Sequence, residues 1–140
     1  MTINWQGFLF KATQSGDVFP DKYINYESYD TTPNQREEIK AYRDDNSREL
    51  HRITANGMKS TFTFTTRDNL DLQAVNEIMT FFMSNETNQK ERKIQLTYWD
   101  NEQFTYKTGF FYRSNQEFKI KKISNNNIWY KEMTFKLIEY

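Results

Sequence analysis

The last stretch of the chain, Ile128 to Tyr140, alternates its side chains to the final residue and sets Trp129, Met133, Phe135 and Leu137 on one face. A strand with an apolar face and a free end frays unless a sheet holds it. A terminal strand docked in a sheet is therefore expected, with the chain end inside the core. No catalytic or cofactor motif is as clear as this strand, which points to a β-rich structural or binding domain.

Phe, Tyr and Trp supply 24 side chains here, against 18 from Leu, Ile and Val. An aromatic core can replace the missing aliphatics because each ring buries a large area. At 140 residues the expectation is a single β-rich domain over 1–140, with a charged arm or loop at 32–52 inside it. Lys plus Arg equals Asp plus Glu at 19 each, so no field of one sign steers the whole molecule onto nucleic acid or an anionic membrane. There is no cysteine, hence no disulfide framework and no thiolate metal site. The N-terminus lacks a basic and apolar leader, and no window reaches the ~18 apolar residues of a membrane span, so neither secretion by a visible signal nor membrane insertion is expected.

Ile3 to Lys11 reads as a first strand and Tyr23 to Tyr29 as a second. Thr32-Pro33-Asn34-Gln35 then has the form of a helix start, with Pro at the first helical position and Gln two further on. Between Arg36 and Arg52 only Ile39 and Tyr42 could face a core. The segment is therefore either a mobile loop or an arm that finds its partner on another chain, and Arg36, Glu37, Glu38, Lys40, Tyr42, Arg43, Asp44, Asp45, Arg48 and Glu49 are its candidate inter-subunit contacts. Ala55-Asn56-Gly57 lies between two strand-like runs and signals a hairpin, although a bulge within one continuous strand uses the same Gly. Phe62 and Phe64 alternate with threonines in the second run. Asp68 or Asn69 caps a helix over about 70–84, in which Leu72, Val75, Ile78, Met79 and Phe82 recur at helical spacing. From Lys93 onward the alternation describes a meander of about four strands. The candidate core anchors are Phe62, Phe64, Leu72, Val75, Met79, Phe82, Trp129, Phe135 and Leu137. The expected class is mainly β (α+β), an antiparallel β-sandwich or incomplete β-barrel with one packed α-helix.

Little in the chain points to a reaction. His51 is the only histidine, and a triad or zinc site needs clustered partners that the spacing does not supply. Glu37-Glu38 and Asp44-Asp45 are sequence neighbours whose side chains point apart, which suits a solvated face. Four scattered glycines form no phosphate loop. The row Trp99, Phe104, Tyr106, Phe110 and Tyr112 could stack sugar rings or bases, but a core this poor in aliphatics needs its rings for itself. Lys119 and Lys121 line one side of a strand, a pattern that commonly protects a sheet edge. No catalytic, cofactor-binding or metal residue is nominated.

From Arg52-Ile53 onward, the order of features resembles a family of small tail-region proteins from phages and prophages of Gram-positive bacteria. The matching features are Arg52-Ile53, the stretch Lys59 to Thr66, a short helix, Thr97-Tyr98-Trp99-Asp100, then Trp129 and the closing Phe135-Lys136-Leu137-Ile138-Glu139. The resemblance covers about residues 43 to 140. It implies a tail-tube-like fold and a noncatalytic virion protein, made in the host cytoplasm, that forms a ring or stacked tube in the tail around the DNA-ejection channel. The implied partners are further copies of itself and other tail proteins, with transient DNA passage and no specific DNA binding. A monomeric, aromatic-faced carbohydrate-binding module of a receptor-binding tail tip is the alternative.

Overall fold

Among the described residues the chain forms two antiparallel sheets, a two-stranded ribbon and one α-helix. A computed structural model describes residues 2–35, 38–43, 48, 50–54 and 59–140, with the backbone alone for 38–43 and 51–54. The strands are β1 (Phe10–Ala12), β2 (Asp30–Gln35), β3 (Glu38–Arg43), β4 (Leu50–Thr54), β5 (Lys59–Thr65) and β6 (Leu70–Asp71). After the helix α1 (Leu72–Asn85) come β7 (Glu86–Asn88), β8 (Lys93–Asp100), β9 (Thr105–Arg113), β10 (Ile120–Ser124), β11 (Asn127–Tyr130) and β12 (Thr134–Glu139). The main sheet runs β1-β8-β9-β12-β5-β2, with β7 also on β8; a smaller sheet runs β10-β11-β6.

The terminal strand β12 lies between β9 and β5, the interior position its apolar face requires. Phe135 stands opposite Phe64 and Leu137 opposite Phe62, and all four are buried. Threonines and Lys136 occupy the other face, so the alternation of Phe with Thr in β5 separates core from solvent. The expected single strand from Ile128 is instead two. β11 leaves for the small sheet, and the chain crosses to the main sheet between Tyr130 and Thr134. Trp129 is consequently half-buried under Lys122, whose ammonium sits 5.4 Å from the ring centroid, and it does not share a row with Phe135.

α1 covers the core face. Asp71, not Asp68 or Asn69, caps it by accepting from the Ala74 amide at 2.9 Å. Ala74, Val75, Ile78, Phe81 and Phe82 are buried, whereas Leu72 is 44% exposed and Met79 only partly covered. At ~100° per residue, Leu72 and Met79 sit roughly 120° and 100° around from Ile78, on the flank of the buried arc. Leu70, just before the cap, enters the core in place of Leu72. At the other end Glu86 and Arg113, both nearly enclosed, pair at 3.3 Å and tie the helix terminus to β9. Rings dominate the interior: Phe135 stacks between Phe64 (5.3 Å) and Phe82 (5.5 Å), and Phe10 packs on Phe19 at 4.6 Å.

Two expected strands fail for local reasons. Gly7 adopts φ 90°, which breaks the run from Ile3 and leaves only Phe10–Ala12 in the ladder. The stretch from Tyr23 to Tyr29 holds two 3₁₀ turns, Asp21–Tyr23 and Tyr26–Ser28, with Ile24 between them bridged to Thr66 and fully buried.

Candidate functional site: a hairpin arm on a buried polar root

Residues 32–35 are strand and not helix. β2 pairs with β5, and β3 pairs with β4, which itself pairs with no other described strand. Asp30 faces Thr63 at the base and Arg43 faces Leu50 further out; the residue numbers of both pairs add to 93. One irregularity between Thr32 and Gln35 and a second between Glu38 and Lys40 each raise that sum by one. β3 follows β2 and β4 precedes β5 in the chain, across residues outside the described ones, and β3 alone spans roughly 20 Å. Between the two expectations for Ala55-Asn56-Gly57, β4 finds β3 and not β5, so no hairpin joins them; those three residues lie outside the described ones.

This ribbon carries the sequence-predicted contacts. Glu38, Lys40, Tyr42 and Arg43 stand on β3 opposite Thr54, Ile53, His51 and Leu50. Arg48 is exposed, with φ 61°, on the chain that leads from β3 to β4. Arg36, Glu37, Asp44, Asp45 and Glu49 lie outside the described residues. His51 occupies a register position on β4, and its side chain is not among those described.

The root of the ribbon is a polar cluster that the sequence did not foretell. Pro33 has no N–H for the ladder, and Asn34 takes the left-handed conformation (φ 56°) that Asn tolerates better than most residues. That turn delivers the Asn34 side chain to Asp100, which is fully buried at the end of β8. The Asn34 amide donates to Asp100 Oδ2 at 2.8 Å, and its carbonyl accepts from Lys107 Nζ at 2.7 Å. Lys107 also pairs with Asp100 at 3.2 Å. Asp100 Oδ1 accepts from the Glu102 amide (2.8 Å) and the Gln103 amide (3.3 Å). Burial pushes the Asp100 pKa up, but hydrogen bonds from Asn34, the Glu102 backbone and Lys107, with the charge of Lys107, outweigh it and hold the carboxyl below its ordinary range.

On the other side of the root, the Asn34 amide N–H donates to Ser60 Oγ at 3.1 Å, and that hydroxyl lies 3.1 Å from the Tyr98 hydroxyl. The Ser60 amide donates to Glu139 Oε1 at 2.7 Å, and the other Glu139 oxygen occupies the space where a Cβ on Gly109 would stand. β2, β5, β8, β9 and β12 therefore all contribute to fixing the end of β2 and the start of β5, between which the β3–β4 ribbon lies in the chain. A buried carboxylate this fully satisfied is a positional device, since its oxygens are occupied by donors from the fold. The signal available in sequence was Pro-Asn inside a strand-like run, a bulge composition.

The aromatic row is partly packed and partly exposed, with Phe104 at 41% and Phe110 at 38%. Trp99 packs edge-on against Trp5 (5.2 Å) and Tyr106 (5.2 Å), while Phe110 and Tyr140 sit under Lys93. Among the described residues no three His, Cys, Asp or Glu side chains gather in a way that could hold a metal ion. No described helix is long and apolar enough to cross a membrane.

A family model described as a family of unknown function (DUF6711) matches residues 1–140. No curated protein matches the chain. Among solved structures, the chain is similar to one described as the tail of an empty GTA particle computed with helical refinement in C6 symmetry. The TM-score is 0.54 and the identity 11%, with 98% of this chain and 95% of that one covered. At that identity the likeness is one of fold, and it supports the mainly β, tail-like architecture.

Proposed function

The chain belongs to the DUF6711 family of unknown function, and we propose that it is a noncatalytic phage-type tail structural protein that assembles with copies of itself into a ring or stacked tube. The observation that carries this reading is the fold shared over 98% of the chain with a tail particle of six-fold symmetry. The arm supports it: a ribbon with little apolar content of its own, whose base at Asn34 is anchored by a buried polar root, is suited to reaching a neighbouring subunit. Its candidate contacts are the charged residues from Arg36 to Glu49, where paired opposite charges set register between identical chains. In this reading residues 1–140 act as one folded unit in the virion tail, other tail proteins are its further partners, and DNA passes the assembled channel without specific binding.

The test is the mass distribution of the purified protein over a concentration series, with negative-stain imaging of any large species. Rings or tubes are expected. A strict monomer at every concentration, alone and with neighbouring tail proteins, would refute the reading. The carbohydrate-binding alternative has one observation in its favour, Trp5 at 50% exposure beside Trp99, and it requires tryptophan fluorescence that changes on addition of cell-wall saccharide.

A further inference from the structure

We propose that the β10–β11 hairpin docks onto a second copy of this chain, and that its receiver is the acidic groove between the loop at 17–20 and α1. The inference rests on the assembly reading above and names two surfaces for it, neither of them on the arm.

β10 is an edge strand whose ladder partner is β11. Directly opposed residues share a sheet face, so Leu70, Tyr130 and Ile120 form one row and Ile128 with Ile123 the next. Leu70 is in the core and Tyr130 packs against it, yet Ile120 is 52% and Ile123 70% exposed. The bulge between Ile120 and Lys122 is what lets two isoleucines three positions apart lie on one face. An apolar face that begins in the core and ends in water at a free edge lacks a covering layer. Lys119, Lys121 and Lys122 punctuate the edge and discourage indiscriminate strand pairing; Lys121 is already paired with Asp68 at 2.7 Å, so Lys119 and Lys122, the latter over the Trp129 ring, are the cations left to favour an acidic partner.

The same chain carries such a surface. A groove of about 390 Å³ has Val18, Pro20 and Phe81 as its apolar lining and Asp17 and Glu77 among its polar residues. Val18 is half exposed, and Glu77 is held by the Tyr23 hydroxyl at 2.8 Å. Lys22, the nearby cation, lies over the Tyr23 ring at 5.1 Å. Basic apolar edge and acidic apolar groove are different surfaces of one molecule, so their contact is heterologous and repeats from copy to copy, closing a ring when the rotation allows.

The chain has no cysteine, so single-cysteine variants Val18→Cys and Ile123→Cys, carrying different mass tags, can be mixed and mildly oxidised. The mixed dimer should dominate over either homodimer, and a statistical distribution of the three overturns the proposal. Ile123→Asp should raise the concentration for half-assembly roughly tenfold to a hundredfold, the value of one buried isoleucine; near-ultraviolet circular dichroism confirms that this exposed substitution leaves the core intact. Wild-type protein that assembles while Ile123→Asp assembles equally well overturns this inference and leaves the tail reading standing. A wild type that never assembles overturns both.

Discussion

Replacing Asn34 by Ala should destabilise the protein by about 3–5 kcal/mol, a value that can be divided into two parts. The first is polar. Asn34 makes two side-chain hydrogen bonds to ionised partners, to Asp100 at 2.8 Å and from Lys107 at 2.7 Å, and bonds of this kind contribute about 1.5–3 kcal/mol each. Lys107 remains 3.2 Å from Asp100, so it recovers part of that loss and keeps the total near the lower end. The second part is conformational: Ala at φ 56° costs about 1 kcal/mol more than a residue at ease in the left-handed region. Asn34→Gly isolates the first part, because Gly removes the amide and accepts the backbone. Equilibrium urea unfolding of wild type, Asn34→Gly and Asn34→Ala should therefore give a descending series, the last two separated by about 1 kcal/mol. Limited trypsin digestion provides the second readout, with cleavage in the 36–54 stretch accelerated in both variants. An Asn34→Gly protein within about 0.5 kcal/mol of wild type would refute the polar-root argument; equal Ala and Gly variants would refute the conformational part.

The depressed Asp100 pKa makes a signed pH prediction. A carboxyl that holds its proton less tightly folded than unfolded adds stability above its ordinary value of 3.8, and that stability disappears as pH falls through the lower folded value; Asp100→Asn should flatten the acid limb below about pH 4 in urea-unfolding midpoints. Phe135→Ala should cost about 3–5 kcal/mol because the ring is 1% exposed between Phe64 and Phe82, whereas Leu72→Ala should cost under about 1.5 kcal/mol despite its place in the helical pattern. Gly109→Ala should displace Glu139 and forfeit its bond from the Ser60 amide, a loss of about 1.5–3 kcal/mol. If so, Gly109→Ala in a Glu139→Ala background should cost little, and additive effects in that double-mutant cycle would show that the two do not meet.

What the sequence conveyed were the properties that side chains encode locally. The period-2 alternation in β5 and β12 identified Phe62, Phe64, Phe135 and Leu137, which are buried, because a strand residue's face is set by its parity alone. The helix was visible within two residues of its observed ends, and Val75 and Phe82 lie in its buried arc. Which face of that helix meets the sheets was not visible: the apolar residues cover a wide arc, and only docking against β6, β8 and β11, with Phe82 on Phe135, chose Ile78 as its centre and left Leu72 at the rim. Trp129 was assigned to the wrong sheet for a related reason, since alternation continues across a chain crossing that hydrogen-bond partners alone reveal.

The candidate site divides in the same way. Composition marked 32–52 as charged and poor in core-forming residues, hence an arm or a loop, because burial is a property of residue type. Its strand state and register depended on which strands pair, β2 with β5 and β3 with β4, and the Asn34–Asp100–Lys107 root on residues about 65 to 75 positions apart in the chain, a separation at which no local pattern carries information. The sequence by itself determined a mainly β chain with an aromatic core, a docked C-terminal strand and one packed helix. The tertiary structure alone decided how the root of the arm is held, because Asn34 is fixed by a buried carboxylate that is stable only when donors from several strands converge on it.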